Sequence, residues 1–199
     1  MTWLAPNTFV TFCKGLTLPI LSGILSEAGR PALAVGESGG WAWATHDAYA
    51  APYRETALEL ARGITSSRLA SRLGAPDRVE TVFLASTPAC TCPHGRNLMV
   101  PHCAEHPLQF VYSLAGFEQV YFNVGQRRES RRGGGEADLL VQELLEAGIV
   151  GRDASKYDTD PGFNADGAYT VRIIADHFGL PSPPLRLGSA RADRETPER

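Results

Sequence analysis

Hydrophobic residues recur along this chain with two periods, one typical of strands and one typical of helices. Alternating apolar, aromatic and β-branched residues in 31–47, 78–86 and 108–125 are the pattern of half-buried strands. The first of these ranges contains the turn sequence GESGG, and the last contains Ala115-Gly116. Because glycine adopts the positive φ of tight turns, both ranges predict β-hairpins, and 78–86 predicts a single strand.

Helical periodicity covers much of the remaining chain. Residues 7–28 predict two short helices that meet near Pro19. The clearest helix spans 136–148, where Leu140 and Leu144 share one face and Gly148 provides a stop. Three further segments predict helices for similar reasons: 52–63, 65–74 and 168–179.

These elements predict an α+β fold, an antiparallel sheet of about five strands flanked by helices from both ends of the chain. A single domain is expected over 1–180, with a zinc-binding insertion at 88–107 that forms a metal-clasped loop between two strands. The segment 181–199 is Pro-rich and then charged, and predicts a disordered tail.

Composition narrows the functional classes. With 199 residues and a net charge of −3, the chain is not a polycation, so any nucleic-acid contact must come from a local patch. Its 19 basic residues are almost all Arg, which is typical of a GC-rich genome such as that of an actinobacterium or its phage. No apolar run is long enough for a transmembrane helix, so we expect no membrane contact and a cytoplasmic location, where thiols stay reduced.

Six possible metal ligands lie within residues 90–106, CTCPHGRNLMVPHCAEH. Zinc prefers four thiolate or imidazole ligands in a tetrahedron, and the spacing C-x-C-x10-C-x2-H can supply them. We therefore predict a structural zinc ion, with His94 or His102 as possible replacements for the histidine ligand. The predicted ligands are Cys90, Cys92, Cys103 and His106.

This C-x-C turn followed by C-x2-H is similar to half of a treble-clef or AN1-type zinc finger. The resemblance covers about seventeen residues, 90–106, and implies zinc with a structural role. The further ligand pairs of such fingers have no counterpart here, so no family function is carried over.

An arginine-rich, glycine-rich segment, QRRESRRGGG at 126–135, predicts a polar and mobile loop. Arginine pairs bidentately with phosphate, so four arginines on such a loop can follow a nucleic-acid backbone. A solvated surface loop is the alternative interpretation. The candidate contacts are Arg127, Arg128, Arg131 and Arg132.

The main functional hypothesis is therefore a small intracellular, zinc-stabilised protein that associates with nucleic acid or has a regulatory role. A metal-dependent hydrolase or nuclease using Asp158, Asp160 and His177 is a second hypothesis, because such carboxylates can hold Mg²⁺. A protein–protein interaction or phage assembly module is a third. The pattern leaves the oligomeric state and the question of enzymatic activity open.

Overall fold

The structure is a computed structural model, and it describes residues 8–27, 32–47, 79–86, 108–124, 130–151, 156, 159–160, 162–164 and 167–182. The predicted helices at 52–63 and 65–74, the ligand cluster at 90–106 and the predicted tail beyond Ser182 lie outside these residues. The strands are β1 Thr8–Lys14, β2 Ala34–Ser38, β3 Trp41–Asp47, β4 Glu80–Ser86, β5 Leu108–Leu114, β6 Phe117–Val124 and β7 Ser130–Gly133. The helices are α1 Leu18–Glu27, α2 Val141–Glu146 and α3 Ala168–Phe178.

The described strands form one antiparallel sheet in the order β2-β3-β1-β4-β5-β6-β7. The α+β class and the antiparallel sheet are confirmed, and the sheet has seven strands rather than about five. The two extra strands, β1 and β7, come from segments whose sequence predicted a helix and a loop.

Strand β1 replaces the first of the two helices predicted at 7–28. The side chains of TFVTFCK point alternately to the two faces of the sheet, so that Val10 and Phe12 enter one core while Cys13 enters another. Strand β1 lies between β3 and β4, and both of its faces are buried, one in the core with α2 and α3 and the other in the core with α1. Burial on both faces gives a nearly continuous apolar run, which is easily mistaken for a buried helix.

Both faces of the sheet carry a hydrophobic core. The larger core packs Phe12, Trp43, Phe110 and Phe122 against residues of α2 and α3, including Ile174. The smaller core is made by Cys13, Ala42 and Ala44 of the opposite face with Leu21 and Leu25 of α1. Because successive strand residues point to opposite faces, one strand such as β3 contributes to both cores.

The two predicted hairpins are confirmed. Gly39 and Gly40 join β2 to β3 with φ of 59° and 81°, and Ala115 and Gly116 join β5 to β6 with φ of 52° and 82°. Positive φ at both central residues is the type I′ turn, whose twist matches that of paired strands. Ala115 takes this conformation without being glycine, and its N–H donates to the carbonyl oxygen of Val79 at 3.0 Å.

The helix predicted at 168–179 is confirmed as α3, with Gly179 at φ 64° as its stop. A residue outside the helix caps its first turn: Oδ1 of buried Asn164 accepts the N–H groups of Tyr169 and Thr170. The residue directly before the helix is Gly167, which makes no side-chain cap. Helix α2 is shorter than predicted, since the residues before Val141 form turns.

Among the described residues, no helix has the length and apolar character that crossing a membrane requires.

Candidate functional site

Six of the strands have one end at the same end of the sheet, which we call the cluster end. In the antiparallel register Thr8 lies beside Asp47 and Ser86, and Ser86 lies beside Leu108. Leu108 in turn pairs with Val124, and the neighbouring Asn123 pairs with Ser130. The connections that follow β4 and β6 therefore both begin and end at the cluster end. The residues that define the cluster end are Thr8, Asp47, Ser86, Leu108, Val124 and Ser130.

The predicted zinc ligands belong to the connection 87–107 between β4 and β5. Cys90, Cys92, Cys103 and His106, with the alternatives His94 and His102, lie outside the described residues. The strand ends that flank them are register partners, Ser86 and Leu108. Cys90 comes four residues after Ser86 and His106 two residues before Leu108, so they reach at most ~14 Å and ~7 Å from these anchors. Strand pairing thus fixes the two ends of this connection side by side, and coordination of one metal ion by the predicted ligands stays a prediction.

Arg127 and Arg128 belong to the connection between β6 and β7, which is also attached at the cluster end. They too lie outside the described residues. Strand β5 lies between β4 and β6, and neighbouring strands are about 4.8 Å apart. The arginine connection therefore starts about two strand spacings from the end of β4. The connections that contain the ligand cluster and these arginines, 20 or more residues apart in sequence, are both attached at the cluster end.

The segment predicted as a mobile arginine–glycine loop is partly a strand. Residues Ser130–Gly133 form β7, which pairs with β6 and contains Arg131 and Arg132. Only the backbone of Arg131 is described. The prediction failed because a strand of four polar residues has no hydrophobic alternation to reveal it.

Arg132 is half-buried and is held by the fold. Its Nη1 donates to the carbonyl oxygens of Ala137 and Leu139, both at 2.7 Å. Its guanidinium lies over the ring of Phe122, 4.4 Å from the centroid. The side chain therefore fastens the turns that precede α2 to the sheet. Its role as a phosphate contact stays a prediction, but its Nη1 is already engaged in this structural contact.

Replacing Arg132 by Met is expected to lower the free energy of unfolding by about 2–4 kcal/mol, because two charge-assisted hydrogen bonds to partly buried carbonyls are lost. Urea unfolding of both proteins measures the difference. Arg172→Met is the matched control, since Arg172 is exposed and, among the described residues, its contact is with the ring of Tyr169, 5.6 Å from its centroid. The control should change stability by at most about 1 kcal/mol. Equal losses in the two variants would contradict a fastening role for Arg132.

The second hypothesis placed a metal on Asp158, Asp160 and His177. Nδ1 of His177 lies 2.9 Å from Oε1 of Glu143, which joins α3 to α2. Oδ1 of Asp160 accepts the N–H of Gly162 in a local turn. Within the described part of the chain, which excludes Asp158, no group of three or more His, Cys, Asp or Glu side chains is placed to hold a metal ion. The hydrolase site therefore stays a prediction without geometric support from these residues.

The contact between Glu143 and His177 was not visible in the sequence. A hydrogen bond from the backbone N–H of Glu143 itself is the main cause that holds the pKa of this carboxyl below its ordinary value. Desolvation opposes it, and the neighbouring His177 adds to the lowering. Both side chains are substantially exposed, so the pair contributes little stability. Only the packing of α2 against α3 brings these two residues together, because they are 34 positions apart.

The fourth cysteine, Cys13, is chemically separate from the ligand cluster. It is fully buried in the smaller core, and desolvation raises the pKa of its thiol to about 12. Since the thiolate is the form that binds metals and attacks disulfides, Cys13 is inert in the folded protein.

Comparison with known proteins gives no relative from which a function can be transferred: no family model matches the chain, and searches of curated proteins and of solved structures gave no significant match.

Proposed function

We propose that this chain is a zinc-stabilised protein that associates with nucleic acid through the cluster end of its sheet. The observation that supports the proposal is that two segments are attached to the sheet at the cluster end. The connection 87–107 carries the cysteine and histidine ligands, and the connection 125–129 carries Arg127 and Arg128. One segment supplies a metal site that can fix a loop, and the other supplies charge that can bind phosphate.

A structural metal suits the connection 87–107 for an entropic reason. The two ends of this segment are already held side by side by the pairing of β4 with β5. Closing a smaller ring inside a loop whose ends are fixed costs less chain entropy than closing it in a free chain. The segment also has few apolar residues to bury, so metal coordination takes the place of a hydrophobic core.

The arginines supply a local positive charge on a chain whose net charge is −3. Arg127 and Arg128, with Arg131 at the start of β7, are the proposed phosphate contacts, while Arg132 anchors the strand that follows them. A local patch of this kind binds nucleic acid mainly through counterion release, so its affinity falls steeply as salt rises.

The test is the binding of fluorescently labelled DNA and RNA oligonucleotides, followed by anisotropy over a range of salt concentrations. Exchanging both Arg127 and Arg128 for Gln should weaken binding at least ~10-fold at low salt and reduce the slope of log affinity against log salt by about 2, since two phosphate contacts are lost. Arg172→Gln, an exposed arginine on α3, is the matched control and should bind like the wild type. Absence of binding to any oligonucleotide at ~50 mM salt, or an unchanged double variant, would overturn the proposal.

A further inference from the structure

Strand β2 is the edge strand on one side of the sheet, and the backbone polar groups of two of its five residues face away from β3. The two-residue turn makes Ser38 and Trp41 a hydrogen-bonded pair, and such pairs alternate along an antiparallel ladder. Gly36 therefore bonds to Trp43, whereas the N–H and C=O groups of Val35 and Glu37 point outward. No described strand pairs with this outer side of β2.

The two edges of the sheet differ in how they are protected. Strand β7 has only four residues, contains Arg131 and Arg132, and pairs with β6 in a shifted register. Charges, shortness and irregularity are the usual means by which an edge strand avoids pairing with another chain. Strand β2 is less protected: it has five residues, it pairs with β3 without a register shift, and it contains one charge, that of Glu37, whose Oε1 already accepts the N–H of Leu18 at 2.6 Å.

Apolar side chains are exposed along the same edge. Leu33, directly before β2, is 63% exposed, and Val35 within it is 42% exposed. An unpaired strand edge with exposed apolar side chains is a template for strand addition.

We propose that β2 pairs antiparallel with β2 of a second copy of this chain, which joins two seven-stranded sheets into one continuous sheet. In the register that places Gly36 opposite Gly36, the outward groups of Val35 face those of Glu37 in the second copy, and the reverse pair repeats the contact. Each carboxylate then lies opposite a valine rather than opposite the other carboxylate. The strand is thus complementary to itself in hydrogen bonding, and this register keeps the two carboxylates from facing each other.

The expected dimer is weak, because a pair of five-residue strands buries far less surface than a standard interface of about 1,600 Å². Its dissociation constant is expected on the order of micromolar or weaker. Sedimentation equilibrium of the full chain from about 1 µM to about 1 mM covers this range.

Val35→Lys is expected to weaken dimerisation at least ~10-fold, because charges placed on edge strands prevent their pairing. Leu145→Lys is the matched control: Leu145 is 45% exposed but lies on α2, and its exchange should leave the dimer unchanged. Amide exchange of the wild type, resolved by NMR, gives an independent measurement. The amides of Val35 and Glu37 should exchange more slowly as the protein concentration rises.

A protein that stays monomeric up to about 1 mM would overturn this inference. So would a dimer that Val35→Lys leaves intact, or one whose formation does not slow exchange at Val35 and Glu37. If Val35→Lys fails to fold, the amide exchange of the wild type still decides. None of these outcomes bears on nucleic-acid binding, so the dimer and the proposed function succeed or fail separately.

Discussion

Chelation of zinc is expected to free the thiols of Cys90, Cys92 and Cys103 for rapid reaction with an aromatic disulfide reagent, while Cys13 stays unreactive. In the metal-bound protein the three thiolates are held by the ion and react slowly. Cys13 is an internal control within the same molecule, because it is fully buried and its thiol has a pKa raised to about 12. It should react only after denaturant has unfolded the sheet.

The same treatment should destabilise the fold. Loss of a structural metal is among the few changes expected to cost more than ~4 kcal/mol. For a domain of this size, such a loss corresponds to a fall in Tm of roughly 8–16 °C. Metal analysis of the wild type and of Cys103→Ala, together with thermal melts followed by circular dichroism, measures both effects. Three fast-reacting thiols in freshly purified, metal-free protein with an unchanged Tm would refute the zinc clasp.

Gly134→Ala is expected to lower the free energy of unfolding by about 3 kcal/mol or more. Gly134 has φ 116°, a conformation that side chains rarely adopt. A Cβ atom at this position would also lie within 2.3 Å of the backbone oxygen of Gln119. The chain therefore turns tightly against β6 at Gly134, and no methyl group fits without a shift of one backbone.

Gly135→Ala is the matched control for this prediction. A Cβ atom at Gly135 would meet the side-chain Oε1 of Gln119 at 3.6 Å and the backbone oxygen of Glu118 at 3.9 Å, both ordinary contact distances. The exchange should change stability by no more than about 0.5 kcal/mol. Urea unfolding of the two neighbouring variants thus compares a close-packed turn with an open position. Equal stabilities would restore the interpretation of this segment as a mobile loop.

The sequence alone determined the elements whose signals are local. Both hairpins were predicted correctly because their turns require positive φ and their strands alternate visibly, as in residues 41–45. Helix α3 was predicted because its apolar residues recur with helical period and Gly179 stops it. The cysteine–histidine cluster is known only from its residue types and their spacing, so its metal chemistry stays a prediction.

Only the tertiary structure decided the features that depend on distant neighbours. Strand β1 lies in the sheet between β3 and β4, and the two cores cover its two faces, so apolar residues are found on both faces and no apolar–polar alternation marks the strand. Strand β7 exists because β6 offers it hydrogen bonds and Arg132 fastens it to the turns before α2, although its own residues are polar. The connections with the ligand cluster and with Arg127–Arg128 are both attached at the cluster end because of the order and direction of β4 to β7, which no local pattern encodes.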